Sequence, residues 1–429
     1  MSETIPTVGR LPVVGSALEV GSDPFDFLEG AAAEYGPVFR VSIPGLSFVC
    51  YADAKLVERA LVTERDRYRK DDRERDLLGG FLGEGALTAR GERWERGRRQ
   101  VQPAFTPGRI AAYAEEMVGQ TERVVGEWAD CEVIDVHEEA TRLTLSIVAS
   151  TMFGLDSLEE AGTIAERVDA ITDRFAPSRL PVEIPLWAPT PANRRYRRAA
   201  GDLEEIVDRL IDRREPGDED LCATLLSAME AGEITESEVR DQLLTVLLAG
   251  HETTAVALTY TLASLATHPA EYDRVAREVR SAGELSARTD LPRTDAAIRE
   301  ALRLYPPSYL LFRQTERSDT VAGYRIPPDT RVVCPQWAIH RDPRYYDAPT
   351  AFRPGRWSKD RERPDFAYFP FGGGKRACIG RRFALLELRL AVASILRSVD
   401  LEATPDTEPS PTPALTCRPD GPVPLRVRR

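Results

Sequence analysis

Lysine is almost missing from this chain. Of 57 basic residues only Lys55, Lys70, Lys359 and Lys375 are lysines, the rest being arginines, and 69 acidic residues outweigh them to give a net charge of -12. That balance argues against a nucleic-acid partner. A GC-rich genome is the simplest source of the bias, and adaptation to high salt the sharper one, since an acidic, lysine-poor surface stays soluble under strong screening. Cysteine is sparse as well: Cys50, Cys131, Cys222, Cys334, Cys378 and Cys417 show no paired short spacing. This excludes a disulfide framework and a zinc cluster and fits a reducing compartment. Long apolar runs are missing too. The most apolar stretch, 243–250, is too short to span a bilayer, and the opening MSETIPTVGRLPVVGSALEV has neither a signal-peptide nor an anchor pattern. The expectation is a cytoplasmic protein with no membrane anchor. Also lacking are a Gly/Ser linker, a repeat and a low-complexity tract. A length of 429 residues alone suggests two or three domains, but nothing divides the chain, so it is read as a single unit over 1–429.

What is present is mostly helical periodicity. Residues 1–52 hold an N-terminal segment and a β-hairpin, with alternating residues at Val38 to Val41 and Leu46 to Tyr51 about Pro44-Gly45. From about Asp53 to Glu230 the pattern is helical, broken at Pro103, Pro107, Pro177 and the Pro-rich stretch Pro181 to Pro191. Pro405 to Pro424 reads as loop, with short strand candidates near Leu415 and Val427.

Two segments carry chemistry. The first, Phe371-Gly372-Gly373-Gly374-Lys375-Arg376-Ala377-Cys378-Ile379-Gly380, places one cysteine in a turn that allows positive φ and close approach by a flat ligand. Apolar spacing from Arg381 to Arg397 predicts a helix starting just after Cys378, whose free amides would stabilise an anionic sulfur and lower its pKa. A lone cysteine in such a loop is more often a small buried hydrophobe. A phosphate loop is the other reading, and it fails because no Gly-Lys-Ser/Thr follows.

The second segment is the long apolar helix pattern 235–268, opened by a capping-box candidate from Thr235 to Glu238. Inside it stands Ala249-Gly250-His251-Glu252-Thr253-Thr254. Gly in a helix interior costs about 1 kcal/mol relative to Ala, so something must offset these residues. Either Thr253 bonds back to the carbonyl four residues earlier, or glycine and threonine open a groove for dioxygen and water.

Phe371, Gly374, Arg376, Cys378 and Gly380 match every position of the haem-binding loop of the cytochrome P450 family, and the chain is identified by them as resembling that family. Ala249, Gly250, Glu252, Thr253 and Thr254 resemble the family's oxygen-binding segment. The resemblance implies a mainly α fold with a small β subdomain and a long central helix over haem b (iron protoporphyrin IX). It makes Cys378 the iron ligand, since a thiolate on haem iron favours O–O cleavage. It makes Glu252 and Thr253 the proton relay and oxygen-site hydroxyl, and it leaves His251 as a helix-facing polar residue. Cofactor contacts fall to Phe371, Trp94, Arg98, Arg313 and Arg376, the arginines clamping the propionates. Glu300, Arg303 and Arg356 become a core-locking network. The segments around Pro181 to Pro191, flanked by Ile164 to Phe175 and Tyr196 to Arg213, become a cover over a substrate channel; an ordinary surface connection reads almost as well.

The implied activity is a haem-thiolate monooxygenase that hydroxylates a hydrophobic small molecule with O2. No iron-sulfur, flavin or nicotinamide module is visible in these residues, so electrons are expected from a ferredoxin-type donor and its reductase. That donor would dock on the basic cluster Arg96, Arg99, Lys375, Arg381 and Arg382. A peroxide-driven peroxygenase is an alternative, although such members tend to lack the acid-alcohol pair. A haem-binding sensor or electron-transfer protein would leave that pair without purpose. For substrate, an apolar pocket and a long lid region fit fatty-acid, terpenoid or carotenoid classes, and the Leu304-Tyr305-Pro306-Pro307 style resembles that of fatty-acid and carotenoid hydroxylases.

Overall fold

The computed structural model describes residues 4–9, 16, 23–43, 45–155, 158–175, 186–213, 220–358 and 362–429. Its principal helices are α1 (Pro24–Tyr35), α2 (Gly91–Val101), α3 (Ala114–Gly126), α4 (Val136–Phe153), α5 (Leu158–Thr172), α6 (Pro191–Arg213), α7 (Glu236–Ala266), α8 (Pro269–Ser281), α9 (Pro292–Leu304) and α10 (Arg381–Ser398). The strands that matter for the site are β1 (Thr7–Val8), β2 (Val38–Ile43), β3 (Leu46–Tyr51), β4 (Tyr68–Arg69), β5 (Leu310–Thr315), β6 (Arg331–Pro335), β7 (Pro411–Pro413) and β8 (Cys417–Pro419). This is the mainly helical fold with small sheets that the sequence predicts.

The hairpin forms where expected, with Val38 opposite Tyr51 and Ile43 opposite Leu46. Gly45, at φ 75°, supplies the left-handed backbone of the tight turn. Its strands join a six-stranded sheet in the order β1-β2-β3-β6-β5-β4. Arg313 lies on β5. The Pro-rich C-terminal stretch is more ordered than expected: β7 and β8 pair as a hairpin with Leu415 at its tip, and Val427 sits in the strand Pro424–Arg428. Residues 176–185, within the predicted cover, lie outside the described residues; α5 and α6 flank them and pack on one another.

α7 runs unbroken through the core for 31 residues. Its capping box is made, the Glu238 amide donating to Thr235 Oγ1 at 3.3 Å and the Thr235 amide to Glu238 Oε2 at 2.9 Å. Among the described helices it is the one long and apolar enough to cross a membrane, yet 72% of that stretch is buried in the protein. α4 lies along it, while α9 and α10 pack on other faces. It is apolar all round because it is covered all round.

The Glu300–Arg303–Arg356 network forms as expected. Arg303 donates Nη2–H to Glu300 Oε1 at 2.9 Å and Nε–H to Oε2 at 3.1 Å, while Arg356 Nε–H reaches Oε1 at 2.8 Å. Trp357 Nε1–H donates to Oε2 at 2.9 Å. Arg303 also satisfies the carbonyls of His340 and Pro349, so α9 is riveted to the segments that follow it. Glu300 and Arg303 are both fully buried. Removing one partner strands the others: Glu300→Ala is expected to cost about 3 to 5 kcal/mol, read as a lower urea midpoint by circular dichroism. Arg344→Ala, which breaks a half-exposed pair with Asp342, is expected to cost under about 1 kcal/mol.

Candidate active site

Eight side chains singled out in the sequence line the same cavity: Trp94, Arg98, Glu252, Thr253, Arg313, Phe371, Arg376 and Cys378. Its volume, about 1720 Å³, exceeds the roughly 300–1,000 Å³ of ordinary ligand pockets. That leaves room for a large flat group together with a second molecule.

Cys378 is carried in by a loop that only glycine could follow. Gly374 has φ 67°, and a Cβ there would lie 2.0 Å from the Leu61 carbonyl oxygen; one at Gly373 would lie 2.4 Å from the Phe366 ring. The Cys378 amide then closes the loop on the Phe371 carbonyl at 2.9 Å. Gly380 caps α10, so the sulfur meets the amides of Gly380 and Arg381 at the helix start. These amides and Arg98 favour a thiolate, but burial outweighs them, and the thiol's pKa is raised, not lowered as the sequence suggested. Helix position is legible locally, whereas the protein surrounding the cavity, to which the Cys378 side chain is exposed, is not. A metal cation in contact would reverse the sign, because coordination deprotonates a thiol outright.

The cations gather at one side. Arg98 donates to the Ala377 carbonyl at 3.0 Å, Arg313 to Phe312 O at 2.7 Å and Arg376 to Ala89 O at 2.8 Å. Arg376 also stacks over Trp94, 4.4 Å from its centroid. Burial pushes Arg376 down to about 10, with the charge of Arg313 adding to the effect, and burial lowers Arg98 and Arg313 too. Lys70, which sequence reasoning passed over, belongs here. Burial lowers its pKa, its ammonium pairs with Glu74 at 2.6 Å, and it feels the charges of Arg313 and Arg376. Partly buried arginines that repel one another and donate to neutral carbonyls suit a dianionic ligand. With a cysteine facing the cavity, they fit the two carboxylates and the iron of a haem. A rare lysine in an arginine-dominated chain was the available signal, and only the fold buries it beside Arg313.

On α7 the Thr253 hydroxyl donates back to Ala249 O at 2.8 Å and Thr254 to Gly250 O at 2.9 Å. The back-bonding alternative therefore holds while Thr253 still faces the cavity. Glu252, mostly buried, accepts from Thr416 Oγ1 at 2.7 Å. His251 points away from the cavity lining and is fully buried, its Nδ1–H donating to Leu247 O at 2.7 Å. Of the proposed basic cluster, Arg99, Lys375, Arg381 and Arg382 are exposed, whereas Arg96 pairs with Glu238 at 2.7 Å.

A helical fold with a cysteine-headed, cation-lined cavity beneath one long polar-interrupted helix has a place that haem would fit. Residues 5–423 match the Cytochrome P450 family model. The chain belongs to the cytochrome P450 family, and with it come haem and iron binding, O2 as co-substrate and monooxygenase chemistry. It is similar to cyclooctatin synthase of Streptomyces melanosporofaciens, 33% identical over 95% of this chain and 92% of that protein. It is also similar to pentalenene oxygenase of Streptomyces avermitilis, 31% identical over 95% and 93%. Among solved structures, CYP175A1 from Thermus thermophillus superposes with a TM-score of 0.82 at 28% identity, covering 99% of this chain and all of that one.

Burial holds His251 at about 4, below the ordinary 6.5. The unfolded chain therefore takes up this proton as the pH falls through 6.5, while the native state does so only near 4. Stability linked to His251 is complete above 6.5 and is lost on acidification towards 4, by about 1.4 kcal/mol per pH unit. Urea midpoints measured from pH 7 to 4.5 are expected to fall less steeply for His251→Gln than for the parent protein.

Proposed function

We propose that this chain is a haem b monooxygenase acting over its whole length as one functional unit, in which Cys378 would be the protein ligand to the haem iron. The observation that carries this is the convergence of Cys378, the cations and the Glu252-Thr253 pair on one cavity. Haem, when bound, supplies O2 activation and insertion of oxygen into an unactivated C–H bond. The protein's own residues do the rest. Arg98, Arg313, Arg376 and Lys70 hold the propionates, and Trp94 and Phe371 pack at the edges of the site. Thr253 keeps its proton on Ala249 O, so its oxygen is left to accept a hydrogen bond from water in the cavity. Glu252, one residue earlier, passes protons toward that water.

The substrate is a hydrophobic small molecule. Fatty-acid, terpenoid and carotenoid classes all suit an apolar cavity of this size, and relatives named for cyclooctatin and pentalenene favour the terpenoid class. Electrons come from a ferredoxin-type donor docking on Arg99, Lys375, Arg381 and Arg382, exposed cations on a protein of net charge -12. A relative named as a bifunctional P450 and NADPH–P450 reductase marks the other arrangement for electron supply.

The reduced, carbon-monoxide-bound difference spectrum tests the ligand. The parent protein is expected to show the red-shifted thiolate band, and Cys378→Ala to lose it; an unchanged spectrum in the variant would remove Cys378 from the iron. Thr253→Ala is expected to keep reductant consumption within about twofold while product falls at least ~10-fold and peroxide takes its place. Peroxide-driven turnover indifferent to Glu252 and Thr253 would favour the peroxygenase reading instead.

A further inference from the structure

The β7–β8 hairpin reaches into the cavity with Pro413, Ala414, Leu415 and Thr416 at its tip. Its first three tip positions suit an apolar wall; Thr416 does not. Its hydroxyl, 5% exposed, donates to Glu252 Oε1 at 2.7 Å across 164 residues of sequence. The hairpin's own cation, Arg418, is engaged elsewhere, pairing with Asp173 just beyond the end of α5 at 2.6 Å. Further bonds fix the hairpin on the opposite side: the Cys417 amide donates to Pro307 O at 2.9 Å and Tyr309 Oη to Ala414 O at 3.0 Å.

From this we propose that Thr416 is a positioning residue for the acid of the oxygen-binding helix, and that the hairpin exists at this point to hold it. The inference rests on the reading of Glu252 as a proton relay. A relay acid must alternate between carboxylate and carboxylic acid inside a mostly apolar wall, and each form needs a partner there. A hydroxyl serves both, donating to the carboxylate and accepting from the acid. A guanidinium donates only and would hold the group as a carboxylate, so pairing Arg418 with Asp173 keeps that competing donor occupied. Thr416 thus fixes the direction of the Glu252 side chain without fixing its charge. The same hairpin is tied through Arg418 to Asp173, just beyond the end of α5.

Three variants of the haem-loaded protein, driven by a surrogate ferredoxin and ferredoxin reductase with O2 and the hydrocarbon probe dodecane, test this. Thr416→Val keeps the shape and removes the hydroxyl; Thr416→Ser restores it; Glu252→Gln removes the acid. Thr416→Val is expected to lower the fraction of reductant appearing as oxidised probe at least ~5-fold and to raise the solvent deuterium isotope effect, with the probe's half-saturation within ~2-fold. Thr416→Ser is expected to return to the parent values, and Thr416→Val combined with Glu252→Gln to add nothing to Glu252→Gln alone. A readout independent of turnover is the infrared carboxylate band assigned by its loss in Glu252→Gln. It is expected to shift in Thr416→Val and not in Thr416→Ser. If Glu252→Gln changes coupling while Thr416→Val matches the parent in both coupling and band position, the positioning role is overturned and the relay reading stands. If Glu252→Gln itself leaves coupling and isotope effect unchanged, the relay reading falls, and the role of Thr416 falls with it.

Discussion

The constraint on which the site depends is the close passage of the backbone at Gly373 and Gly374 against Phe366 and the Leu61 carbonyl. At 2.0 Å from that oxygen no Cβ fits, so the chain turns there as bare backbone and delivers Cys378 to the start of α10. The contact joins the two halves of the architecture. Leu61 and Phe366 belong with the cluster around the sheet, whereas α10 is part of the large helical core. The cysteine is thereby positioned against both. A side chain at either glycine would disturb the sulfur and the seam between sheet and helices together.

Charge is managed by opposite means in two buried places. At Glu300 the carboxylate is saturated by Arg303, Arg356 and Trp357, and the result is a rivet whose members have no freedom. In the cavity Arg98, Arg313 and Arg376 are held by neutral carbonyls, while Lys70 is bonded to Glu74 and Arg331 to Asp71. The first arrangement suits a core element that must not move. The second keeps positive charge available for anions that arrive with a cofactor, at the cost of mutual repulsion in the protein alone.

Much of this was legible in the sequence because it is local. The glycine run, the capping box at Thr235 and the Glu300/Arg303 spacing are set by residues within a few positions of one another, and each appears at the place expected. What was not legible depends on distance in sequence. Lys70 joins Arg313 and Arg376 only through the fold, Thr416 meets Glu252 only because a proline-rich stretch folds back as a hairpin, and the thiol of Cys378 is raised because of how much protein surrounds it. In each case the residue type was visible and its environment was not.

The scarcity of lysine has a practical consequence on the folded surface. Among the described residues Lys70 is buried, leaving Lys55 and Lys375 as the exposed side-chain amines. Lys375 lies three residues before the cysteine, on the loop beside the exposed arginines. Among the described residues amine-reactive chemistry therefore has two side chains to attach to, one of them on the loop that carries Cys378. Immobilisation on an amine-reactive electrode through Lys375 would present that face to the conductor, making the molecule suited to wiring in a defined orientation without engineering a tag.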